Sequence, residues 1–176
     1  MPETLEKSPA RAGAPHVLFV CTGNTCRSPM AEGLLRHAIR GKAGPMSALT
    51  VCSAGIFAQE GSPASENAFR AMWAVGIDIG RHRSRQVTRP LVENALAIFA
   101  MGRRHVEDLR RMFPALRAPL HLLREFAPKA AGFTPDLPDP YGRGFREYQD
   151  CRDNIVETIP SLLDYLEPLL ANPPTK

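Results

Sequence analysis

The sequence predicts an α/β fold: a single-domain three-layer sandwich with a four-stranded parallel sheet and helices on both faces. Three observations predict it. His16–Val20, beyond the histidine itself, and Ala95–Ala100 are continuous apolar runs, the pattern of strands covered on both faces. The intervals between strand candidates carry helical periodicity, and this alternation gives parallel sheets with right-handed crossovers. No internal repeat and no compositional break divides the 176 residues.

Taken in order, the first fifteen residues are rich in small residues and proline and lack an apolar core. They read as a flexible leader and not as a secretory signal. Strand one, His16–Val20, leads into Cys21-Thr-Gly-Asn-Thr-Cys-Arg-Ser28-Pro29, where Ser28 followed by Pro29 marks a helix start. Met30, Leu34, Leu35, Ala38 and Ile39 share one face of that helix. Leu49–Cys52 is a second strand, closed by Ser53-Ala54-Gly55. Ala64, Ala68, Met72 and Val75 repeat the helical spacing up to Gly76, a C-terminal stop, and Trp73 on this helix reads as packing. Ala95–Ala100 and Leu120–Leu123 complete the sheet. The last helical region runs from about Glu147 to Leu166, with Ile155, Ile159, Leu162, Leu163 and Leu166 inward. Pro160 kinks or divides it, because proline removes a hydrogen bond and clashes with the preceding turn. The domain spans 16–170, and 171–176 read as a flexible tail.

Composition excludes several function classes. Twenty-two Lys and Arg against 18 Asp and Glu leave a charge of +4, too small to argue for nucleic acid. No apolar run approaches the roughly 18 residues of a membrane span. Four cysteines without an export signal suit the reducing cytoplasm, with Cys52 and Cys151 as buried thiols. No metal or cofactor is expected, and the chain is expected to be a monomer or weak dimer. Arg81, Arg83, Arg85 and Arg89 read as a solvated face. Seventeen prolines are about twice the usual share, and Pro128, Pro135, Pro138 and Pro140 crowd one loop.

In open α/β sheets ligands bind at the carboxyl ends of strands, which directs attention to the loop after strand one. Its tight turn points successive backbone N–H groups into one concavity, and the helix N-terminus adds positive potential. Gly23 permits the backbone angles such a turn needs. Arg27 offers a planar fork of donors suited to two phosphoryl oxygens. Cys21 sits where a helix field and an arginine favour a thiolate. A cysteine, five residues, an arginine and a serine thus combine a nucleophile with a cradle for a tetrahedral dianion. The loop lacks the Gly-Lys-Ser/Thr of a Walker motif.

Residues 21–32, Cys-Thr-Gly-Asn-Thr-Cys-Arg-Ser-Pro-Met-Ala-Glu, resemble the signature of the low-molecular-weight protein tyrosine phosphatases. Val51-Cys-Ser-Ala-Gly55, His82-Arg-Ser-Arg-Gln-Val-Thr88 and Asp139-Pro-Tyr-Gly142 continue it in the family's order, covering about 16–170. The resemblance implies hydrolysis of phosphorylated proteins through a phosphocysteine on Cys21, without a cofactor. It implies a phosphate-binding loop of Thr22, Gly23, Asn24, Thr25, Cys26, Arg27 and Ser28, in which Ser28 bonds the sulfur of Cys21. Ser53 and His82 would support the loop through Asn24. Asp139 would protonate the leaving group and then activate water, with Asp136 the rival acid. Phe57 and Tyr141 would wall the substrate, and Cys26 would be a redox neighbour of Cys21.

Thr25 departs from the aliphatic residue, often Ile, of tyrosine-directed members and resembles the protein-arginine phosphatase branch. Phosphotyrosine and phosphoarginine thus both stand as substrates. Two alternatives come from other classes. Arsenate reductase shares the fold but needs a relay cysteine pair that Cys52 and Cys151 do not form. A non-catalytic phosphoprotein reader would be expected to lose Cys21, Arg27 or Asp139.

Overall fold

The structure, a computed structural model, describes residues 3–4, 16–129 and 132–171. Apart from Glu3–Thr4, the expected leader lies outside the described residues, as does the tail beyond 171. A short outer ladder pairs β1 (Glu3–Thr4) with β4 (Ile77–Asp78) in parallel. In the main sheet β2 (His16–Cys21) lies between β3 (Thr50–Gly55) and β5 (Ala95–Ala100), and β5 pairs with β6 (Leu120–Leu122). Every pairing is parallel.

Side-chain alternation along β2 decides what packs where. Val17, Phe19 and Cys21 join one buried cluster, and Leu18 and Val20 the other. The first cluster is completed by α1 (Arg27–Ile39), α2 (Glu66–Trp73), α5 (Phe145–Val156) and α6 (Ile159–Ala171), which bring Met30, Leu35, Met72, Ile155 and Leu162. The second is completed by α3 (Arg89–Glu93) and α4 (Arg103–Met112), which bring Val92 and Leu109. Burying each such side chain stabilises the fold by roughly 1.5–3 kcal/mol relative to exposure.

Several boundaries differ from the sequence expectation. β2 extends through Cys21, and β3 runs through Ser53-Ala54-Gly55 instead of closing before them. Helix α1 begins at Arg27 with Cys26 in the cap position, so Ser28 lies inside the first turn and does not cap it. Pro29 is tolerated there because first-turn N–H groups have no intrahelical acceptor. Pro160 divides the last helical region, as the second residue of α6. Helix α4 escapes an apolar-periodicity reading because its sequence, RRHVEDLRRM, carries few apolar residues. Gly76 does end α2's segment, with φ of 79°.

Candidate active site

The loop between β2 and α1 closes over the end of β3. Ile56 N–H donates to the Cys21 carbonyl and Phe57 N–H to that of Thr22, each at 2.9 Å. The approach is so close that a Cβ on Gly55 would lie 2.5 Å from the Thr22 carbonyl oxygen. At its apex Asn24 has φ of 56°, the only positive value of a non-glycine residue among the described residues. Asparagine tolerates this region better than most side chains because its short amide bonds locally.

Those bonds make Asn24 the hub of the loop. Its Nδ2 donates to Ser28 Oγ at 2.9 Å and Ser53 Oγ at 2.8 Å, and its Oδ1 accepts from Arg85 N–H at 2.9 Å. Its carbonyl accepts from His82 Nε2 at 2.7 Å. Ser53 Oγ in turn donates a hydrogen bond to Glu32 Oε2 at 2.6 Å, and Arg36 holds the other oxygen of Glu32 at 2.9 Å. The resemblance placed Ser53 and His82 around Asn24, and both are in contact with it. Glu32 and Arg85 extend the network. Arg85 therefore leaves the expected solvated face: its Nε also donates to the Ser53 carbonyl at 2.9 Å.

Cys21 Sγ lies 2.9 Å from Ser28 Oγ and 3.2 Å from the Asn24 N–H that donates to it. Ser28 Oγ accepts from Asn24 and keeps its own proton to donate to the sulfur once that is ionised. These groups and the Arg27 charge favour a thiolate, yet burial outweighs them and pushes the Cys21 thiol above its ordinary value. The expectation of a favoured thiolate is corrected to that extent. Cys52 and Cys151 are buried thiols as expected, each pushed up to about 12 by burial. Cys26 Sγ lies 3.2 Å from Ser65 Oγ and 3.5 Å from the Tyr148 hydroxyl, and all four cysteines are free.

Arg27 is buried and reaches three groups. Nη1 donates to the Leu137 carbonyl at 3.2 Å, and Nη2 to Asp139 Oδ2 at 2.6 Å and to Thr22 Oγ1 at 3.5 Å. Its Nε–H, also buried, has no acceptor among the described residues. A buried, unsatisfied guanidinium donor beside a cysteine and a helix N-terminus is the signature of an anion site.

The proline-rich loop is pinned just before its acid. Leu137 N–H donates to the Met101 carbonyl at 2.8 Å. Arg103 takes Asp136 through its backbone N–H at 2.6 Å and its guanidinium at 2.8 and 2.9 Å, which holds that carboxyl below its ordinary value. Asp136 is thereby occupied at the start of α4, while Asp139 faces Arg27.

A cleft of about 380 Å³ opens over these groups, lined by Cys21, Thr22, Gly23, Thr25, Cys26 and Arg27 below and by Phe57, Gln59, Ser62, Asp139 and Tyr141 at its sides. Phe57 and Tyr141 are exposed, at 66% and 73%, so Phe57 is not a core aromatic. Trp73 packs against Phe69 with tilted rings whose centres are 5.4 Å apart, away from the cleft lining. Sequence reasoning missed Gln59, Ser62, Glu32 and His105. Their signal was position: Glu32 ends the quoted signature, and His105 lies in the first turn of the helix after β5, at the same carboxyl edge of the sheet. No cluster of His, Cys, Asp or Glu among the described residues is arranged to hold a metal ion.

The family profile described as low molecular weight phosphotyrosine protein phosphatase matches residues 16–171. The chain belongs to that family. This phosphatase is 35% identical over 151 residues to the protein-arginine-phosphatase of Geobacillus stearothermophilus, covering 86% of the chain and 95% of the relative. It is 37% identical over 135 residues to a probable low molecular weight protein-tyrosine-phosphatase, EpsP, of Ralstonia solanacearum, covering 77% and 84%. The solved structure of the YwlE arginine phosphatase from Geobacillus stearothermophilus superposes with a TM-score of 0.76 at 33% identity, over 92% of this chain and 99% of that one. The phosphatase is thus a hydrolase of the protein-phosphatase class, with the single α/β domain and four-stranded parallel sheet expected from sequence. None of its described helices is long and apolar enough to cross a membrane.

Proposed function

We propose that this phosphatase hydrolyses phosphoarginine on proteins through a phosphocysteine on Cys21. The observation that carries the substrate is Thr25: a polar side chain lining the cleft at the position where tyrosine-directed relatives commonly carry an aliphatic one. A guanidinium leaving group needs acceptors and planar walls. Thr25, Gln59, Ser62 and Asp139 are polar groups of the cleft, and the exposed Phe57 and Tyr141 rings offer faces to a planar cation. The same rings would also stack on phosphotyrosine, which is the second reading.

The chemistry is shared by both. The phosphoryl dianion lies against the Arg27 guanidinium and the N–H groups of the loop, competing with the Asp139 carboxylate for Arg27. Asp139 is released towards the leaving group and takes up the proton of the Cys21 thiol through the phosphoryl oxygens, so that a thiolate and a protonated carboxyl face the bond to be broken. Cys21 Sγ attacks phosphorus, the bond to the arginine nitrogen breaks, and that nitrogen takes the proton of Asp139. Asp139, now ionised, takes a proton from water that attacks the phosphocysteine. Inorganic phosphate leaves and the thiolate returns, held by the Ser28 hydroxyl and the Asn24 N–H. The setting is the cytoplasm, and the substrates are phosphorylated proteins.

Turnover of phosphoarginine and phosphotyrosine peptides by wild type and Thr25→Ile tests the reading. Wild type should prefer phosphoarginine, and Thr25→Ile should shift the ratio towards phosphotyrosine. An unchanged ratio removes Thr25 as the determinant. Cys21→Ser should bind inorganic phosphate without turning over either substrate.

A further inference from the structure

His105 lies in the first turn of α4 and is not used by the chemistry above, yet its Nε2 lies 2.9 Å from Thr22 Oγ1 in the phosphate-binding loop. Its other ring nitrogen, Nδ1, is buried and has no hydrogen-bond partner among the described residues. The residue as a whole is 7% exposed. Burial first, and then the Arg27 charge, push its pKa down to about 4, so the ring is neutral and carries a single N–H.

Where that proton sits follows from the surroundings. On Nδ1 it would be a buried donor with no acceptor, whereas on Nε2 it leaves only an unused lone pair on Nδ1. Orphaned buried N–H groups are the rarer of the two in native structures. With the proton on Nε2, His105 donates to Thr22 Oγ1. Arg27 Nη2 approaches the same oxygen at 3.5 Å, the long limit of a hydrogen bond. Two donors then occupy the lone pairs of the Thr22 hydroxyl, and its one proton is left to point elsewhere. Thr22 is exposed and lines the cleft beside Cys21 and Arg27.

We infer that the Thr22 hydroxyl is a direct hydrogen-bond donor to the bound phosphoryl group, and that His105 is the positioning residue that turns it there. Resting on the reading of the cleft as a phosphoryl site, this adds a side-chain donor to a cradle otherwise made of backbone N–H groups and Arg27. The same hydroxyl would donate to the phosphoryl group of phosphoarginine, of phosphotyrosine or of the phosphocysteine.

Inorganic phosphate, a competitive inhibitor of such a site, is the probe. Removing a hydrogen bond to a charged group should raise its inhibition constant about tenfold or more in Thr22→Val, which keeps the shape of the side chain, while Thr22→Ser stays close to wild type. His105→Leu should weaken phosphate similarly, and His105→Gln, which can still donate, should not. The positioning claim is read from the double variant: because His105 acts through Thr22, His105→Leu should cost nothing further in a Thr22→Val background. Nitrogen-15 NMR of the wild-type ring should show the Nε2–H tautomer, a measurement that needs no variant to fold. A Nδ1–H tautomer, an unaltered phosphate constant in Thr22→Val, or additive losses in the double variant would overturn the inference. Turnover by Cys21→Ser would instead overturn the phosphocysteine reading itself, whatever Thr22 does.

Discussion

Arg27 and Asp139 are locked together: Nη2 donates to Oδ2 at 2.6 Å, between a buried guanidinium and a half-exposed carboxylate. The proposed grip on phosphate and the proposed acid therefore occupy each other until an anion separates them. Asp139→Asn should lower kcat on an aryl phosphate by about 10²–10⁴-fold, the usual contribution of general acid–base catalysis. The same variant should bind inorganic phosphate more tightly than wild type, because the competing carboxylate charge is gone. Weaker phosphate binding would mean that the pair organises Arg27 and does not compete for it.

Asn24 combines a strained backbone with five hydrogen bonds, three of them from its side chain, and two substitutions separate the contributions. Asn24→Gly keeps φ of 56° comfortable and removes only the side-chain bonds. Asn24→Ala adds a left-handed backbone penalty of roughly 1–2 kcal/mol. Both should lose turnover, since Ser28, Ser53 and Arg85 N–H lose a buried partner. Thermal melting should place Asn24→Ala below Asn24→Gly. Equal melting temperatures would show that the strain is relieved elsewhere in the loop.

The two central strands, β2 and β5, were legible because burial on both faces writes continuous apolar runs, whereas β6 is a half-buried Leu-His-Leu that gave only a short candidate. The Cys21–Arg27 loop was legible because spacing along one segment is itself the chemistry. What escaped was made by tertiary approach. Arg85 reads as one of four surface arginines until β3 brings Ser53 and the loop brings Asn24 to it. His105 lies 83 positions from Thr22, a separation no local pattern can encode. Ser28 before a proline looks like a cap, but the strand runs one residue longer than its apolar stretch and the helix starts earlier, so its hydroxyl turns to sulfur. The balance at Cys21 was hidden for the same reason: charges nearby in sequence are visible, and burial is not.

Gly55 should not tolerate a side chain. An added Cβ would meet the Thr22 carbonyl at 2.5 Å, Ala58 Cβ at 2.9 Å and Asn24 N at 3.0 Å. Two of these are backbone atoms of the phosphate-binding loop, so the loop must move for the methyl group to fit. Gly55→Ala should destabilise by about 1–3 kcal/mol, the usual cost of overpacking. It should also lower kcat/KM on an aryl phosphate by displacing the cradle. Full activity with reduced stability would show that the strand yields and the loop does not.

Alkaline stability should follow the buried thiols. Cys52 and Cys151 are pushed up to about 12 from an ordinary 9.0. Above pH 9 the unfolded chain therefore binds fewer protons than the folded one, and stability falls as pH rises. Chemical denaturation between pH 8 and 11 should show that decline, with a shallower slope in Cys52→Ala even though its absolute stability is lower. A slope unchanged by this substitution would assign the decline to other groups.

His105 sets the opposite limb. Its pKa is about 4 in the folded protein against 6.5 ordinarily, so between these values the unfolded chain binds the extra proton. The sign is then fixed: stability is full above pH 6.5 and falls as pH drops towards 4, because charging a buried ring beside Arg27 is disfavoured. Denaturant titrations across this range should show the decline in wild type. His105→Gln cannot titrate and should flatten the slope, while keeping a donor for Thr22. An identical slope in the two proteins would show that carboxylates, and not this ring, govern acid stability.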